Sequence, residues 1–600
     1  MFPINRKNLF ASVIIFFFFI ALFALPAAAQ ERAGEIIQQF EKKEVVPRDL
    51  PDMPVIEQKE EKPQEAPAGP KILIKQINVK MHTKTGGEEK PLLLPPDAIR
   101  TITSRYENRE LSFAEINQIA NDITAAYRSR GYLLAYAFVP QQEVKDGVLD
   151  IGVIEAQLGK ITVAGNTSYS TDFIRRHLEK IRKDPSIKTD TLQNSLLLLN
   201  EYPSLNVIAV MEAGKEFGTT DIVAQVQDSR PVSGSISYDN FGSKYTSENR
   251  LNADLNIGNL LGSGDLLTLR GITGLDEIDF DNLSYLRAEY AIPIMYYGTK
   301  MGAYYADSRY EVGEEYEPLE IHGKTHLAGL YLTHPLLKTR LHALDLKLGF
   351  DYKDIYEYML DKLASKDKIR VASLGATYNF IDKFQGRNII NLTYHQGIRD
   401  LFGGTGKNER ESKRQGLWEQ LFGSSEIKVT RTPTSRLYAD GGFSKGTLDI
   451  ARIQKLPGYN YMILKGSGQI SGDNLFVAEQ FFIGGISTVR GFSSASQGGD
   501  QGYCVSAEFH LSPVFPEAKV FNQTFGDMFK FVLFADHGGV FKNDVLPGED
   551  EDDYLTSIGA GLRLYMGKHF FARLDYAVPR IDGSFETGDA EIYGQVAFVF

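Results

Sequence analysis

From Pro231 onward the chain alternates apolar and polar positions with a period of two, the signature of β-strands with two unlike faces. Leu251, Ala253, Leu255 and Ile257 share one face, and Asn252, Asp254 and Asn256 the other. Leu344, Leu346, Leu348 and Phe350 oppose Asp345, Lys347, Gly349 and Asp351. Phe570, Ala572, Leu574 and Tyr576 oppose Arg573 and Asp575, while Ile592, Val596, Phe598 and Phe600 oppose Glu591, Tyr593 and Gln595. Sixteen strands are predicted, near 232–241, 247–259, 263–274, 282–294, 299–312, 324–336, 341–354, 368–381, 387–400, 439–456, 459–472, 502–513, 529–541, 555–567, 569–579 and 591–600. Connections after even strands are mostly tight (260–262, Pro457-Gly458, Lys568), and those after odd strands are often long (313–323, 355–367, 401–438, 473–501, 542–554, 580–590). A soluble β-sandwich has no such length rule. The alternation predicts a mainly β chain whose residues 229–600 form a 16-stranded antiparallel transmembrane barrel, with periplasmic turns on one rim and extracellular loops on the other. Lipid leaves no backbone polar group a partner, so the strands must close into a ring.

Before the barrel the period changes. Residues 1–29 combine Arg6 and Lys7, an apolar stretch from Leu9 to Leu25, and Ala27-Ala28-Ala29, which predicts a cleaved secretory signal peptide. Residues 30–43 predict a short plug-like helix with Ile36, Ile37 and Phe40 on one face, too short to persist undocked. Residues 44–70 hold six prolines and many acidic side chains, an extended linker. From 71 a strand (Ile72, Ile74, Ile77, Val79), a polar turn and a helix opened by the capping box Ser112-x-x-Glu115 follow. That helix carries Phe113, Ile116, Ala120, Ile123 and Tyr127 at helical spacing, and strands at 132–139 and 147–155 close the module at 71–156. A second module at 157–228 repeats the order, with a strand at 159–164, helices at 171–181 and 189–202, and strands at 205–213 and 220–226.

Composition narrows the class. The 600 residues carry a formal charge of −12, which speaks against a nucleic-acid partner. A single cysteine rules out an internal disulfide. Past residue 30 no apolar run approaches a spanning helix. The 55 glycines, 30 tyrosines and 37 phenylalanines suit a barrel with aromatic girdles. No HExxH, GxSxG or Walker A motif and no metal-ligand cluster occurs, so neither catalysis, a cofactor nor a resident metal is expected. Gly466-Ser467-Gly468 lies within a strand without a following helix, and 549–553 lacks calcium-loop spacing and reads as a solvated loop. Trp418 sits in the longest loop without an assigned role.

Two modules of this order resemble POTRA domains of outer-membrane transport proteins. More specifically, Val489-Arg490-Gly491-Phe492, within Gly484 to Phe492 of the long loop after the eleventh strand, resembles the VRG(F/Y) motif of the two-partner secretion transporters, the TpsB family. Phe534-Ala535-Asp536-His537-Gly538 on the thirteenth strand is similar to that family's F-x-D-x-G motif. The resemblance implies that the loop folds inward and that Arg490 meets Asp536. Alternation alone puts Phe534, Asp536 and Gly538 on the lumenal face, with His537 outward. Gly491 permits a sharp turn, Gly538 leaves room opposite, and Phe492 and Phe534 are expected to shield the pair.

The family implies an outer-membrane pore of a Gram-negative bacterium. Its POTRA modules recognise one large secreted partner, a TpsA-like adhesin or haemolysin, and the pore passes it outward unfolded without ATP. Strand addition to a module edge is the expected mode of capture. Outer-membrane lipid, lipopolysaccharide and the barrel-assembly machinery are the other expected partners, the last through the terminal aromatic Phe600. The alternative is an assembly factor that inserts other barrels, though such proteins usually carry more POTRA modules and no plug helix. A diffusion porin leaves the modules unexplained, and a surface enzyme lacks a catalytic domain.

Overall fold

The computed structural model describes residues 33–41, 56–58, 71–82, 91–132, 134–184, 186–229, 231–276, 282–406, 433–520, 522–545, 550–581, 584–585 and 589–600. The expected signal peptide, most of the linker, Trp418 and the side chain of Ile37 lie outside the described residues.

The chain begins with helix α1 (Ala33–Glu41), and β1 (Ile56–Gln58) lies within the expected linker. The first module contains β2 (Ile72–Ile74), β3 (Gln76–Met81), α2 (Pro96–Thr103), β4 (Arg109–Leu111), α3 (Phe113–Arg128), β5 (Tyr136–Phe138) and β6 (Val148–Ile154). Its sheet runs β3-β6-β5, with β3 parallel and β5 antiparallel to β6, while β2 and β4 form a separate pair. The capping box forms as expected: Glu115 N donates to Ser112 Oγ at 3.3 Å and Ser112 N to Glu115 Oε2 at 2.8 Å. Ile116, Ala120, Ile123 and Tyr127 are buried, but Phe113, the first helical residue, is 49 % exposed, because it precedes the turn that lies on the sheet. The polar turn expected after β3 contains α2, started by Pro96 at a position that needs no backbone donor. The strand expected at 132–139 shrinks to three residues.

The second module comprises β7 (Gln157–Ala164), α4 (Thr171–Leu178), α5 (Thr189–Leu199), β8 (Leu205–Ala213) and β9 (Thr219–Asp228). Its sheet is ordered β1-β8-β9-β7, so the linker strand β1 adds in parallel to the β8 edge, Ile56 opposite Ala209 and Gln58 opposite Met211.

The barrel follows with β10 (Val232–Asp239), β11 (Arg250–Gly258), β12 (Leu266–Gly274), β13 (Leu283–Pro293), β14 (Lys300–Glu311), β15 (His322–Lys338), β16 (His342–Met359), β17 (Lys362–Ile381), β18 (Arg387–Gly397), β19 (Ser444–Lys455) and β20 (Tyr461–Ile470). A small hairpin, β21 (Phe481–Ile483) and β22 (Gln497–Gly499), sits inside the next loop before β23 (Gln501–Leu511). A second, β24 (Lys519–Val520) and β25 (Gln523–Thr524), precedes β26 (Phe529–Phe541), β27 (Asp552–Met566), β28 (Phe570–Ile581), the two-residue β29 (Ser584–Phe585) and β30 (Glu591–Val599). Each long strand pairs antiparallel with its neighbour, and β30 closes on β10, Ser235 opposite Val599. Sixteen long strands make the closed wall. Leu286, Tyr305, Leu330, Leu348, Leu374 and Leu392 point outward and are exposed, an apolar belt that water would not tolerate and lipid does. Among the described residues no helix is long and apolar enough to cross a membrane.

Three loop expectations need correction. Residues 355–367 are no loop: β16 and β17 run on to a two-residue turn at Leu360 and Asp361, both in the left-handed region (φ 50° and 57°). At 18 and 20 residues these strands outrun the bilayer, so charged residues on their tips meet water rather than lipid. The connection between β23 and β26 lies on the periplasmic rim yet holds β24, β25 and a short helix, Phe525–Met528, instead of a tight turn. Asp552 and Asp553 of the acidic run belong to β27 rather than to a loop.

The second module seats on the periplasmic turns. Asn259 Nδ2 donates to Ser168 O at 3.2 Å, and Lys338 pairs with Glu201.

Candidate functional site

The loop of residues 471–500 turns into the barrel and meets the inner wall of β23, β26 and β28. Lys530, Val532, Phe534, Asp536 and Val540 of β26 are buried and inward, while Phe531 and Leu533 are exposed and outward. Inside a polar lumen this parity lets one strand present a carboxylate, an aromatic ring and a gap in a row.

Arg490, only 2 % exposed, fills that row. Its Nε donates to Asp536 Oδ2 at 2.7 Å and its Nη2 to Asp536 Oδ1 at 2.8 Å, a two-pronged pair. Its backbone N–H also donates to Asp536 Oδ2 at 3.3 Å. The guanidinium lies 3.5 Å from the centroid of the Phe534 ring, so that ring covers one face of the cation. Ser506, directly opposite Asp536 on the neighbouring strand, donates to Asp536 Oδ1 at 2.7 Å.

The pairing is wider than two motifs. Arg490 Nη1 is 2.8 Å from Glu508 Oε1 and 3.5 Å from Asp575 Oδ2. Asp575 in turn holds Arg563 at 2.5 Å and Arg573 at 2.8 Å. Three cations and three carboxylates thus neutralise one another where water is largely excluded. The sequence motifs omit Ser506, Glu508, Asp575 and Arg563. Inward parity on β23, β27 and β28 was the signal that could have found them.

Gly491 adopts φ 86°, and a Cβ there would meet the backbone of Pro579 at 3.2 Å. Its N–H donates to the hydroxyl of Tyr593 at 3.0 Å, which donates to Phe492 O at 3.1 Å, fixing the loop tip to β30. A Cβ on Gly538 would strike Ile483 at 3.0 Å and Val489 at 3.2 Å, so that glycine makes the seat for fully buried Val489. Of the two rings expected to shield the ion pair, Phe534 covers the guanidinium, while Phe492 packs beside Ile483, Val489, Val540 and Leu555. His537 faces outward between Tyr503 and Thr556 at 2.9 and 2.8 Å.

A second clamp holds the loop nearer its start. Glu479, at the end of a 3-10 turn (Val477–Glu479), is 2.6 Å from Lys353 Nζ and 2.8 Å from Lys445 Nζ, and Gln469 Nε2 donates to its carbonyl at 2.9 Å. At the loop's other end Asp500 pairs with Arg436 at 2.5 Å and accepts from the N–H groups of Leu475 and Asn543, both at 2.8 Å.

Helix α1 occupies the lumen beside this clamp. Ile36 and Phe40 are buried in a cluster that includes Leu283, Tyr285, Ile369, Leu475 and Phe476, with Phe40 and Tyr285 ring centroids 5.2 Å apart. Gln38 Nε2 donates to Val477 O at 3.2 Å, and Glu41 accepts from Tyr285 and pairs with Arg287. A cavity of about 320 Å³ remains between helix, loop and wall, lined by charged Glu41, Lys353, Lys445 and Glu479, by His395 and by apolar Val371 and Phe482. Helix and loop thus both lie inside the barrel, the helix held by an apolar cluster and by polar contacts, the loop by its ion pairs.

Comparison with known proteins agrees with this architecture. Residues 218–564 match the model of the haemolysin secretion/activation protein ShlB/FhaC/HecB, and residues 89–156 match the ShlB-type POTRA domain. The heme/hemopexin transporter protein HuxB of Haemophilus influenzae (strain 86-028NP) is 24% identical over 591 residues, 97% of each chain. The outer membrane transporter CdiB of Dickeya dadantii (strain 3937) is 24% identical over 477 residues, 79% of this chain and 78% of the relative. The solved structure of CdiB from Escherichia coli superposes with a TM-score of 0.63 at 20% identity, covering 90% of this chain and 93% of that one. With a family model spanning more than half of its length, the chain belongs to the ShlB/FhaC/HecB family of haemolysin secretion/activation proteins, transporters of the bacterial outer membrane.

Proposed function

We propose that this chain captures one large secreted partner of the adhesin or haemolysin kind in the periplasm and passes it, unfolded, through its barrel to the cell surface without nucleotide. The observation that carries the reading is the pair of removable obstructions. A pore for small solutes has no use for a lumenal helix and an inward loop held by α1–wall, Glu479–lysine and Arg490–Asp536 contacts, whereas a polypeptide conduit must close tightly at rest and open wide.

Capture is assigned to the modules. The β8 edge already accepts a parallel strand, β1, and backbone pairing there demands little of sequence. An incoming segment of the partner takes that place once β1 leaves. This edge belongs to the second module, whereas among the described residues the first module's three-stranded sheet has β3 and three-residue β5 as its edges. Outer-membrane lipid and lipopolysaccharide surround the apolar belt, and the barrel-assembly machinery inserts the chain.

The test compares proteins released from cells and proteins resident in the outer membrane, with and without Arg490→Ala. One large exported protein should disappear from the surface and medium while the resident barrels keep their abundance. A general fall in resident barrels with normal export would favour the barrel-assembly reading instead.

A further inference from the structure

The membrane-facing side of the second module carries two cations that no carboxylate answers. Between Thr171 and Lys183 the chain sets five cations against two acids, in a protein of formal charge −12. Three of the five have a carboxylate partner: Arg175 and Arg176 share Asp172 at 2.8 and 2.5 Å, and Arg182 pairs with Glu179 at 2.9 Å. Lys180 and Lys183 make no ion pair among the described residues. They converge instead on Tyr297, in the periplasmic turn between β13 and β14. Their ammonium groups lie 4.7 and 5.3 Å from the ring centroid, and Lys183 donates to the Tyr297 hydroxyl at 3.0 Å. The phenol oxygen is the acceptor there, which leaves its own proton for another acceptor. Burial and the neighbouring Lys183 hold Lys180 down to about 8, as expected of an ammonium lacking a counter-charge.

The place of these groups says what kind of anion fits. Tyr297 is 48 % exposed and Met295, in the same turn, 56 %. Met301 and Tyr305 continue outward from that turn along β14, part of the apolar belt. The two ammonium groups therefore lie where the belt ends and the headgroup layer of the inner leaflet begins, beside an apolar wall that accommodates acyl chains. A free phosphate has no use for that wall. We propose that Lys180, Lys183 and the Tyr297 hydroxyl bind the phosphodiester of an anionic phospholipid in the inner leaflet, fastening the second module to the bilayer as well as to the barrel.

The experiment uses the full chain, delipidated in neutral detergent, with bound lipid counted by native mass spectrometry as phosphatidylglycerol, phosphatidylethanolamine or inorganic phosphate is added. One phosphatidylglycerol should bind preferentially. Lys180→Gln with Lys183→Gln should weaken it on the order of thirtyfold, about fivefold per lysine. The double arginine variant should retain binding, and Arg175→Gln, whose cation is already paired, should behave as wild type. Heat-modifiable gel mobility confirms a folded barrel in each case. Undiminished binding by the double glutamine variant would overturn the proposal. So would an equal loss in Arg175→Gln, equal affinity for phosphatidylethanolamine, or displacement of the lipid by inorganic phosphate, which would mark a soluble-anion site.

Discussion

Gln38 donates its side-chain amide to the carbonyl of Val477 at 3.2 Å, so the lumenal helix rests on the loop that carries Arg490. The helix has a second hold, Glu41 on Arg287 and Tyr285. Glu41→Gln replaces a charged partner of part-buried Arg287, which keeps Glu289 at 2.7 Å, and costs the resting state about 2 kcal/mol, which multiplies the unplugged population roughly thirtyfold. Planar-bilayer recordings should show more frequent openings for Glu41→Gln and a persistently raised conductance when residues 33–41 are deleted. Unchanged conductance in the deletion would show that the helix does not obstruct the pore.

Arg490 faces three carboxylates, not one, which makes the two halves of its pair unequal. Arg490→Ala leaves Asp536, Glu508 and Asp575 crowded together with Arg563 and Arg573 alone to answer them, whereas Asp536→Asn leaves Arg490 its contacts with Glu508 and Asp575. Losing a buried partner costs about 3–5 kcal/mol, and the loss falls on the loop position while the sixteen-strand wall persists. Both variants should insert normally and secrete poorly, Arg490→Ala the worse of the two. The double variant should match Arg490→Ala, because the residues act as a unit. Additive secretion defects, or wild-type export by either single variant, would remove this pair from the mechanism.

The barrel was readable in the sequence because its chemistry is one-dimensional: inward Asp536 and outward Leu533 differ only in parity, and lipid enforces that parity on every strand. Where the enforcement stops, so did the reading. The charged residues between Ile355 and Asp367 looked like a loop because beyond the bilayer a strand needs no apolar face. Helix α2 escaped because eight residues carry little periodicity, although Pro96 and Asp97 mark its start. The motifs brought Arg490 and Asp536 together, but Arg287 lies 246 residues from Glu41, and nothing local links the two. The lysines that clamp Glu479 come from β16 and β19 and are equally remote, although one acid following Leu475-Phe476-Val477-Ala478 was a visible oddity.

That clamp makes a separate prediction. Glu479→Gln leaves Lys353 and Lys445 buried beside each other without their shared carboxylate, so the loop start should loosen by about 3–5 kcal/mol. Protease sensitivity of residues 471–500 should rise, and conductance with it, since α1 leans on the same turn. Replacing all three by methionine removes the charges together and keeps the volume, a change that is often neutral or stabilising in interiors. The triple variant should therefore be closed, resistant and deficient in secretion. A leaky triple variant would mean that the clamp acts through shape rather than charge.

The joint between module and barrel should respond to acid through His177. Its Nδ1 is 2.8 Å from Phe173 O and its Nε2 3.1 Å from the Tyr202 hydroxyl, and the ring is fully buried. Burial pushes its pKa down to about 4, against about 6.5 for an unfolded histidine. The folded state thus keeps the ring neutral where the unfolded chain would take a proton. Stability from this group is complete above about pH 6.5 and is lost as pH falls toward 4, about 2 kcal/mol of it by pH 5. Tyr202 also lies under Lys300 of β14, 5.3 Å from the ring centroid, so loosening His177 reaches the barrel contact. Amide exchange across 171–202, corrected for the intrinsic pH dependence, should show protection falling between pH 7 and pH 5. In His177→Gln, which has nothing to titrate, that fall should vanish. Equal protection of the wild type at both pH values would exclude His177 as the source of any acid sensitivity at this joint.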